Sequence, residues 1–210
     1  MAGNSAPAAP PRRRRTQEER RAETRARVLD ATIACLLELG YGATTQRAVA
    51  DRSGVTRGAQ LHHFPTRAQL VAEATTRLAS QVTSRLERQI SELPRGKKRT
   101  EAALDLLWAS FSDGLFIVAL ELWLASRTDA ELAQALGEAE DQIAVAVMNF
   151  GHEIFGPDVS ARPQFEQRLL FALTVMRGLA TSRPFQPGDR GLAPRWEFAR
   201  CQLLGLFSQA

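Results

Sequence analysis

The side chains best suited to chemistry lie together between residues 45 and 64, a stretch rich in hydroxyl, guanidinium and amide groups. Thr45 and Thr56 are each placed to begin a short helix, and Gly54 permits a tight turn between the two. Hydroxyls and free backbone N–H groups at the start of a helix favour phosphate oxygens. Two short helices joined by a tight turn are typical of a helix-turn-helix, whose second helix enters a DNA major groove about 12 Å wide.

Other side chains of this stretch also match contacts to DNA. Arg47 and Arg57 can reach guanine edges or phosphates, and Gln60 suits an adenine edge. Arg67 opposes the dipole of the helix that it begins, which is unfavourable unless an anion is bound there. A helical hairpin on a solvated surface is the alternative, but it does not explain why caps, turn and basic residues converge. The expected DNA contacts are Thr45, Arg47, Thr56, Arg57, Gly58, Gln60, His63 and Arg67.

The charge distribution agrees with a polyanion partner. The net charge of the chain is +4, but residues 1–67 alone carry +6 and the remainder carries −2. Residues 1–16 contain little that can pack and end in Arg12–Arg15, so we expect a flexible basic arm. Double-stranded DNA is the first candidate partner, and a membrane surface is the second.

Helical periodicity begins at about Gln17, and no segment favours a strand, so we expect an all-α fold of about nine helices. The first helix is predicted to stop at Gly40 and Gly42, and Thr66 and Asp129 are placed to cap later helices. Cys35 and Cys201 fall inside helical patterns and are predicted to be buried. The long fourth helix and the five segments after it are predicted near residues 67–91, 100–112, 115–127, 129–155, 163–182 and 193–208.

Several classes of protein are disfavoured. Hydrophobic residues make up 44% of the chain, too many for general disorder, and two cysteines cannot form a disulfide scaffold. The neighbouring residues His62 and His63 point about 100° apart on a helix and cannot chelate one metal ion together. No Gly-rich phosphate loop or nucleophile elbow is present. We therefore expect no enzyme activity, no metal and no cofactor.

The sequence also gives no sign of export or of a membrane span. The arginine run near the start is followed by charged residues rather than an apolar segment. The longest apolar stretch, Leu115–Ala125, contains Glu121 and is well short of the roughly 20 residues that a spanning helix needs. A cytoplasmic protein with no membrane partner is expected.

The region around the predicted helix-turn-helix, roughly residues 25–75, resembles the TetR (tetracycline repressor-type) family of transcriptional regulators. Leu61 stands where the family usually has a tyrosine that contacts DNA, so either Gln60 replaces part of that contact or the segment is slightly rotated. The matching motifs are Thr44-Thr45, Val49-Ala50, Gly54-Val55-Thr56-Arg57-Gly58, His63-Phe64 and Thr66-Arg67-Ala68-Gln69-Leu70.

The resemblance implies three parts in the chain: the arm at 1–16, a helix-turn-helix domain at 17–66, and an effector-binding and dimerisation domain at 67–210. The last two helical segments are apolar over more than one stripe, which favours a dimer contact, although both could be simple core. The family implies that they form a four-helix bundle between two copies. The candidate interface residues are Leu170, Leu173, Val175, Trp196, Leu203, Leu204 and Phe207.

Large aromatic residues in the middle helices could line an apolar effector cavity, although such residues are more often core. Glu121, inside an apolar run, is either a polar anchor for a ligand or a surface carboxylate paired with an arginine. The candidate cavity residues are Trp108, Phe111, Phe116, Glu121, Trp123, Asn149 and Phe171.

These observations predict a homodimeric repressor that is released from a palindromic operator by a small apolar effector. We expect the effector to move the long fourth helix and so change the spacing of the two recognition helices, which must be about 34–36 Å apart. A DNA-binding regulator without an effector is one alternative. A helical enzyme that uses the apolar chamber is the other, but the sequence offers no catalytic pair for it.

Overall fold

The computed structural model describes residues 16–111, 114–182 and 191–208, and these residues form an all-α fold, as expected. Residues 1–15 of the predicted arm at 1–16, and most of the predicted loop before the last helix, lie outside the described residues. The helices are α1 (Gln17–Ala43), α2 (Gln46–Ser53), α3 (Arg57–His63), α4 (Arg67–Ile90), α5 (Lys97–Ser110), α6 (Gly114–Ser126), α7 (Ala130–Phe155), α8 (Pro157–Ser160), α9 (Phe165–Ala180) and α10 (Leu192–Ser208).

The described residues thus contain ten helices rather than about nine, because the sequence analysis missed α8. This single turn begins at Pro157, directly after Gly156. A glycine followed by a proline indicates the end of a helix, which is why no helix was expected here. Proline is nevertheless well tolerated at the first position of a helix, where its missing N–H would have no partner. The break therefore also starts a helix.

The predicted helix caps are confirmed. The side-chain oxygens of Thr45, Thr56 and Thr66 each accept a hydrogen bond from the backbone N–H three residues later, at 3.1, 3.4 and 3.1 Å. Asp129 caps α7 in the same way, at 3.0 Å from the N–H of the third residue after it. Each of these bonds satisfies a backbone donor that the first turn of a helix leaves free.

The first helix does not stop at Gly40 but breaks there and continues to Ala43. Gly40 has φ 74° and ψ 172°, so the helix is interrupted at this residue. Before the break, α1 packs against α2, α3 and α4 around a small core. That core consists of fully buried apolar side chains, among them Val28, Leu36, Val49, Phe64, Leu70 and Val71.

The remaining helices form a larger body in which α4 packs along α7, and α6 packs against α1, α4 and α7. The long α4 belongs to both cores, because its buried residues run from Ala68 to Leu86. The helices α9 and α10 pack on each other, and α10 also contacts α5. Helices that share buried side chains in this way cannot move independently, since protein cores are close-packed.

Two further predictions concern the surface. Cys35 is buried as expected, but Cys201 is exposed, because the buried side of α10 is occupied by larger apolar residues. Within the described residues, no single helix is long and apolar enough to span a membrane. Two helical stretches that meet at a 59° bend are long and apolar enough when taken together; they are Lys98–Ser110 and Gly114–Ser126.

Candidate DNA interface and ligand cavity

The turn of the helix-turn-helix is held by a left-handed glycine and two polar contacts. Gly54 takes the left-handed conformation that the sequence predicted, with φ 65° and ψ 20°. Beside it, the Ser53 hydroxyl accepts the N–H of Val55 at 3.2 Å, and the backbone oxygen of Ser53 accepts a hydrogen bond from Arg27 of α1 at 2.6 Å. The guanidinium of Arg27 therefore ties the turn to α1 and fixes how α3 is presented.

The exposed side of α3 consists of Arg57, Gly58, Ala59 and His62. Two of these residues have almost no side chain, so the helix backbone can come close to a groove floor. Arg57, at the first position of the helix, supplies a cation at one end of this side. The arrangement can bind a polyanion and can approach base edges.

The predicted contact between Gln60 and an adenine edge is contradicted by the structure. Gln60 is fully buried, and neither the nitrogen nor the oxygen of its amide has a hydrogen-bond partner. It lies on the same side of the chain as buried Phe64, four residues later, and this side packs against the core. A side chain in this position cannot reach DNA without rotation of α3.

The predicted anion site at Arg67 is also wrong. Its guanidinium donates to the backbone oxygen of Thr44 at 2.8 Å and to that of Tyr41, and it stacks on the Tyr41 ring at 3.9 Å. Carbonyl groups at the end of α1 therefore satisfy this cation, which explains why an arginine is tolerated at the start of α4. Arg67 joins two helices rather than binding a phosphate.

The sequence analysis missed a contact between α1 and α3. Arg21 donates to the Nε2 atom of His62 at 2.6 Å, and both residues are exposed. This hydrogen bond requires that His62 Nε2 carry no proton. The signal for His62 was present in the sequence, because it follows Gly58 by four residues and so shares the exposed side of α3.

The remaining predicted contacts lie at or beside the same surface. Thr45 and Thr56 are exposed, and the side chain of Arg47 is 91% exposed with a loose 3.8 Å ion pair to Asp51. His63 is half-buried, and burial, together with the positive charges of neighbouring residues, lowers its pKa below the ordinary value. Neutral His63 has one ring N–H available for donation.

A cavity of about 430 Å³ lies between α4, α5, α6, α7 and α9. Three of the predicted residues, Phe111, Phe116 and Trp123, line it together with Phe150 and Leu173. The walls are mainly apolar, as expected of a site for a small organic molecule, and the volume lies within the range of such sites. Glu87, Glu140 and Arg177 provide charge on the lining.

Four predicted cavity residues lie elsewhere. Trp108 stacks on Trp196 of α10, with ring centroids 4.8 Å apart. Asn149 is exposed, because it points about 100° away from its buried neighbour Phe150 on α7. Phe171 is 56% exposed and lines a separate groove between α9 and α10. The fourth residue, Glu121, has a different partner altogether.

Glu121 reaches the break in α1. Its Oε2 atom accepts the backbone N–H of Tyr41 at 2.6 Å. A Cβ atom at Gly40 would lie 3.0 Å from the same oxygen, so the close approach depends on glycine. Glu121 is thus neither a ligand anchor nor the partner of a surface arginine. We call this contact between Glu121 and the N–H of Tyr41 the α6–α1 link.

The outer side of α9 and α10 carries several large apolar residues that are exposed to solvent. Leu170 is 53% exposed, and Val175 and Leu204 are half-buried, so three of the predicted interface residues are accessible, whereas Leu173 lines the cavity. The other three belong to the core of the same chain, because they follow the inward side of α10; they are Trp196, Leu203 and Phe207. Phe198, another apolar residue of the last predicted helical segment, is 69% exposed and lines the same groove as Phe171.

The sequence of this chain is similar to those of known transcriptional regulators. Residues 28–74 match the family model described as "Bacterial regulatory proteins, tetR family". The HTH-type transcriptional regulator CymR of Pseudomonas putida is 29% identical over 168 residues, covering 80% of this chain and 83% of that protein. The HTH-type transcriptional repressor KstR of Rhodococcus jostii is 31% identical over 140 residues, covering 59% of this chain and 66% of that protein.

The fold is also found among solved structures. The transcriptional regulator FadR of Bacillus subtilis, in complex with stearoyl-CoA, superposes with a TM-score of 0.61 at 16% identity. The match covers 85% of this chain and 97% of that chain, so it includes the helical body as well as the helix-turn-helix.

Proposed function

Because the chain belongs to the TetR family of DNA-binding transcriptional regulators, we propose that it is a homodimeric repressor, released from a palindromic operator when a small apolar molecule enters the cavity. The observation that carries this proposal is the link between the two sites. The lining of the cavity and the contact to the end of α1 are on the same helix, α6. Such a regulator acts on DNA in the cytoplasm.

Residues 17–66 are the proposed DNA-binding part, with residues 67–210 as the effector and dimer part. The proposed contacts to DNA are made by α2 and α3, by the threonines that cap these helices, and by Arg21 of α1. Arg57 and Arg47 supply charge, and small side chains at the exposed side of α3 allow close approach. Arg21 and His62 extend the predicted set, which otherwise consists of Thr45, Arg47, Thr56, Arg57, Gly58 and His63.

Dimerisation through α9 and α10 is supported by the exposed apolar side chains of Leu170, Phe171 and Phe198. Contiguous exposed apolar groups of this kind mark interaction sites on soluble proteins. A two-fold axis between two copies would place one α3 in each of two successive major grooves, which is why a palindromic operator is expected.

The proposed switch works through α6. Phe116 and Trp123 face the cavity, whereas Glu121 contacts the break in α1. At the start of α6, a Cβ atom on Gly114 would lie 2.2 Å from the Leu37 side chain, so α6 and α1 are in close contact there as well. A molecule that displaces α6 must therefore displace the end of α1. The sequence pointed to α4 as the moving helix, and α4 shares in this route because Arg67 binds the same end of α1.

The test is a selection of bound sequences from a random duplex pool at near-physiological salt. The proposal predicts a palindromic motif bound by two copies of the chain. Featureless binding that simply weakens with salt would contradict it, because phosphate attraction alone carries no sequence information. A selected operator that no apolar compound ever releases would instead leave DNA binding in place and remove the effector from the account.

A further inference from the structure

We infer that the effector is an apolar molecule that carries one carboxylate group, and that Arg177 is the residue that binds this group. The inference rests on the proposed function of the cavity, since it specifies what the cavity takes. It depends on a cluster of three side chains, Trp123, Glu140 and Arg177, in a mainly apolar lining that also carries hydroxyl groups and the carboxylate of Glu87.

The cluster joins three helices through Trp123 of α6. The indole N–H of Trp123 donates to Glu140 of α7 at 2.7 Å. The guanidinium carbon of Arg177, on α9, lies 4.8 Å from the centre of the Trp123 rings. All three residues line the cavity. One edge of the indole is therefore bonded to a carboxylate, and a face of the indole is covered by a cation.

A guanidinium that lies over an aromatic ring is attracted by the ring without using its N–H groups in a hydrogen bond to an acceptor. Within the described part of the chain, Arg177 is not in an ion pair, and its contact with Trp123 is the one that fixes it. The free N–H groups lie in a planar fork that matches the two oxygens of a carboxylate. Arg177 is thus held in place by the cavity wall while its donors remain available.

The same cluster disfavours an organic cation. The Trp123 face that could attract a cation is occupied by Arg177, which would repel a second positive charge. Glu140 already uses one carboxylate oxygen for the indole N–H. A carboxylate on the ligand, in contrast, finds a fixed partner in Arg177.

The rest of the cavity favours a ligand with a mainly apolar body. Hydroxyl groups are present on the wall, but three of them are already bonded within their own helices. Thr75 donates to the oxygen of Val71 at 2.9 Å, and Ser110 donates to that of Leu107 at 2.6 Å. Thr76 donates similarly to the residue four positions before it, at 3.2 Å. Much of the wall is therefore apolar surface, and Arg177 is the cation that it offers to a ligand.

The test compares three probes with the same apolar body: 4-phenylbutyrate, 4-phenylbutan-1-ol and 4-phenylbutylamine. Calorimetric titration of the full-length protein is predicted to rank the acid first. Arg177→Gln should weaken binding of the acid by about 10-fold and leave the alcohol unchanged, since an exposed charge-assisted hydrogen bond contributes near the lower end of its range. Arg88→Gln is the matched control, because Arg88 is an exposed arginine that does not line the cavity.

A cavity-filling variant, Ala146→Phe, identifies where the probes bind, since Ala146 lies on the wall. It should weaken binding of the acid and the alcohol alike while retaining the helical circular dichroism spectrum. If the alcohol or the amine binds as tightly as the acid, and Arg177→Gln changes nothing, the carboxylate inference is overturned but the effector cavity survives. If none of the probes binds, or if Ala146→Phe leaves binding unchanged, both the inference and the proposed use of the cavity are contradicted.

Discussion

Replacing Glu121 tests whether α6 holds the end of α1. Glu121→Leu removes the carboxylate that accepts the N–H of Tyr41, and Glu121→Gln keeps a neutral acceptor. A hydrogen bond to a charged group contributes about 1.5–3 kcal/mol, and because Glu121 is half-buried we take the lower end, about 1.5 kcal/mol. This free energy corresponds to about a 10-fold change in the equilibrium between closed and open states of the link.

Hydrogen exchange measured by NMR reads this equilibrium at one residue. The Tyr41 amide should exchange about 10-fold faster in Glu121→Leu and only slightly faster in Glu121→Gln. The Cys35 amide, in the buried middle of α1, is the internal control and should change little, because the break at Gly40 separates it from the link.

The same variants test whether the α6–α1 link carries the effector signal. The quantity to measure is the operator affinity without 4-phenylbutyrate divided by the operator affinity with it. In Glu121→Leu this ratio should fall by up to about 10-fold, the same factor by which the opening equilibrium of the link changes, while the protein still binds 4-phenylbutyrate. Unchanged exchange at Tyr41 would refute the hydrogen bond as a restraint. Faster exchange with an unchanged affinity ratio would refute α6 as the route and return the switch to α4.

Three further predictions follow from single contacts. Gly40→Ala should lower the free energy of unfolding by about 1–3 kcal/mol, since φ is 74° at this residue; urea unfolding at fixed protein concentration measures the change. Gly42→Ala is the control and should be neutral or slightly stabilising, because a Cβ atom there meets no other atom. Equal effects of the two variants would show that the break imposes no strain. Arg57→Ala should weaken operator binding by about 1–3 kcal/mol in a fluorescence anisotropy titration. Arg88→Ala should leave operator binding unchanged, because Arg88 lies about 30 Å along α4 from the first residue of that helix. Equal losses of affinity would mean that only general positive charge matters. Phe198→Glu should raise the dimer dissociation constant by at least about 30-fold in sedimentation equilibrium without loss of helical content; a dimer of unchanged affinity would place the interface elsewhere.

The helix boundaries could be predicted because they depend on local chemistry. Thr45, Thr56 and Asp129 cap helices through bonds to residues three positions away, so the necessary information lies within one turn. The same holds for Gly54, whose left-handed conformation is required by the turn itself. Elements of this kind can be located in a sequence before any tertiary contact is known.

The direction in which side chains point could not be predicted so well. The helix α3 has seven residues, too few for a clear apolar stripe, so the sequence did not show that Gln60 faces the core. Arg67 and Glu121 find their partners at the end of α1, 23 to 80 positions away in the chain. Their roles depend on how whole helices pack, and a residue type alone carries no such information.

The aromatic and aliphatic residues of the last helices show the same limit. Trp196 and Phe207 have the size and polarity of interface residues, but they are buried in their own chain, whereas Phe198 is exposed. All three fit an apolar helix, and a helix that is apolar on several sides does not reveal which side faces the core. The cavity cluster of Trp123 with Arg177 was likewise invisible until α6 and α9 were placed side by side.

The most direct test of the central claim is guanine methylation interference on the selected operator. Methyl groups at guanine N7 lie in the major groove, where the account places α3 of each copy. The account predicts interference at two symmetric sets of guanines about 34–36 Å apart, or a multiple of that distance, and a weakened pattern in both sets with Arg57→Ala. Binding that is unaffected by guanine methylation, or affected on one side of the site alone, would contradict a dimer that reads two major grooves through α3.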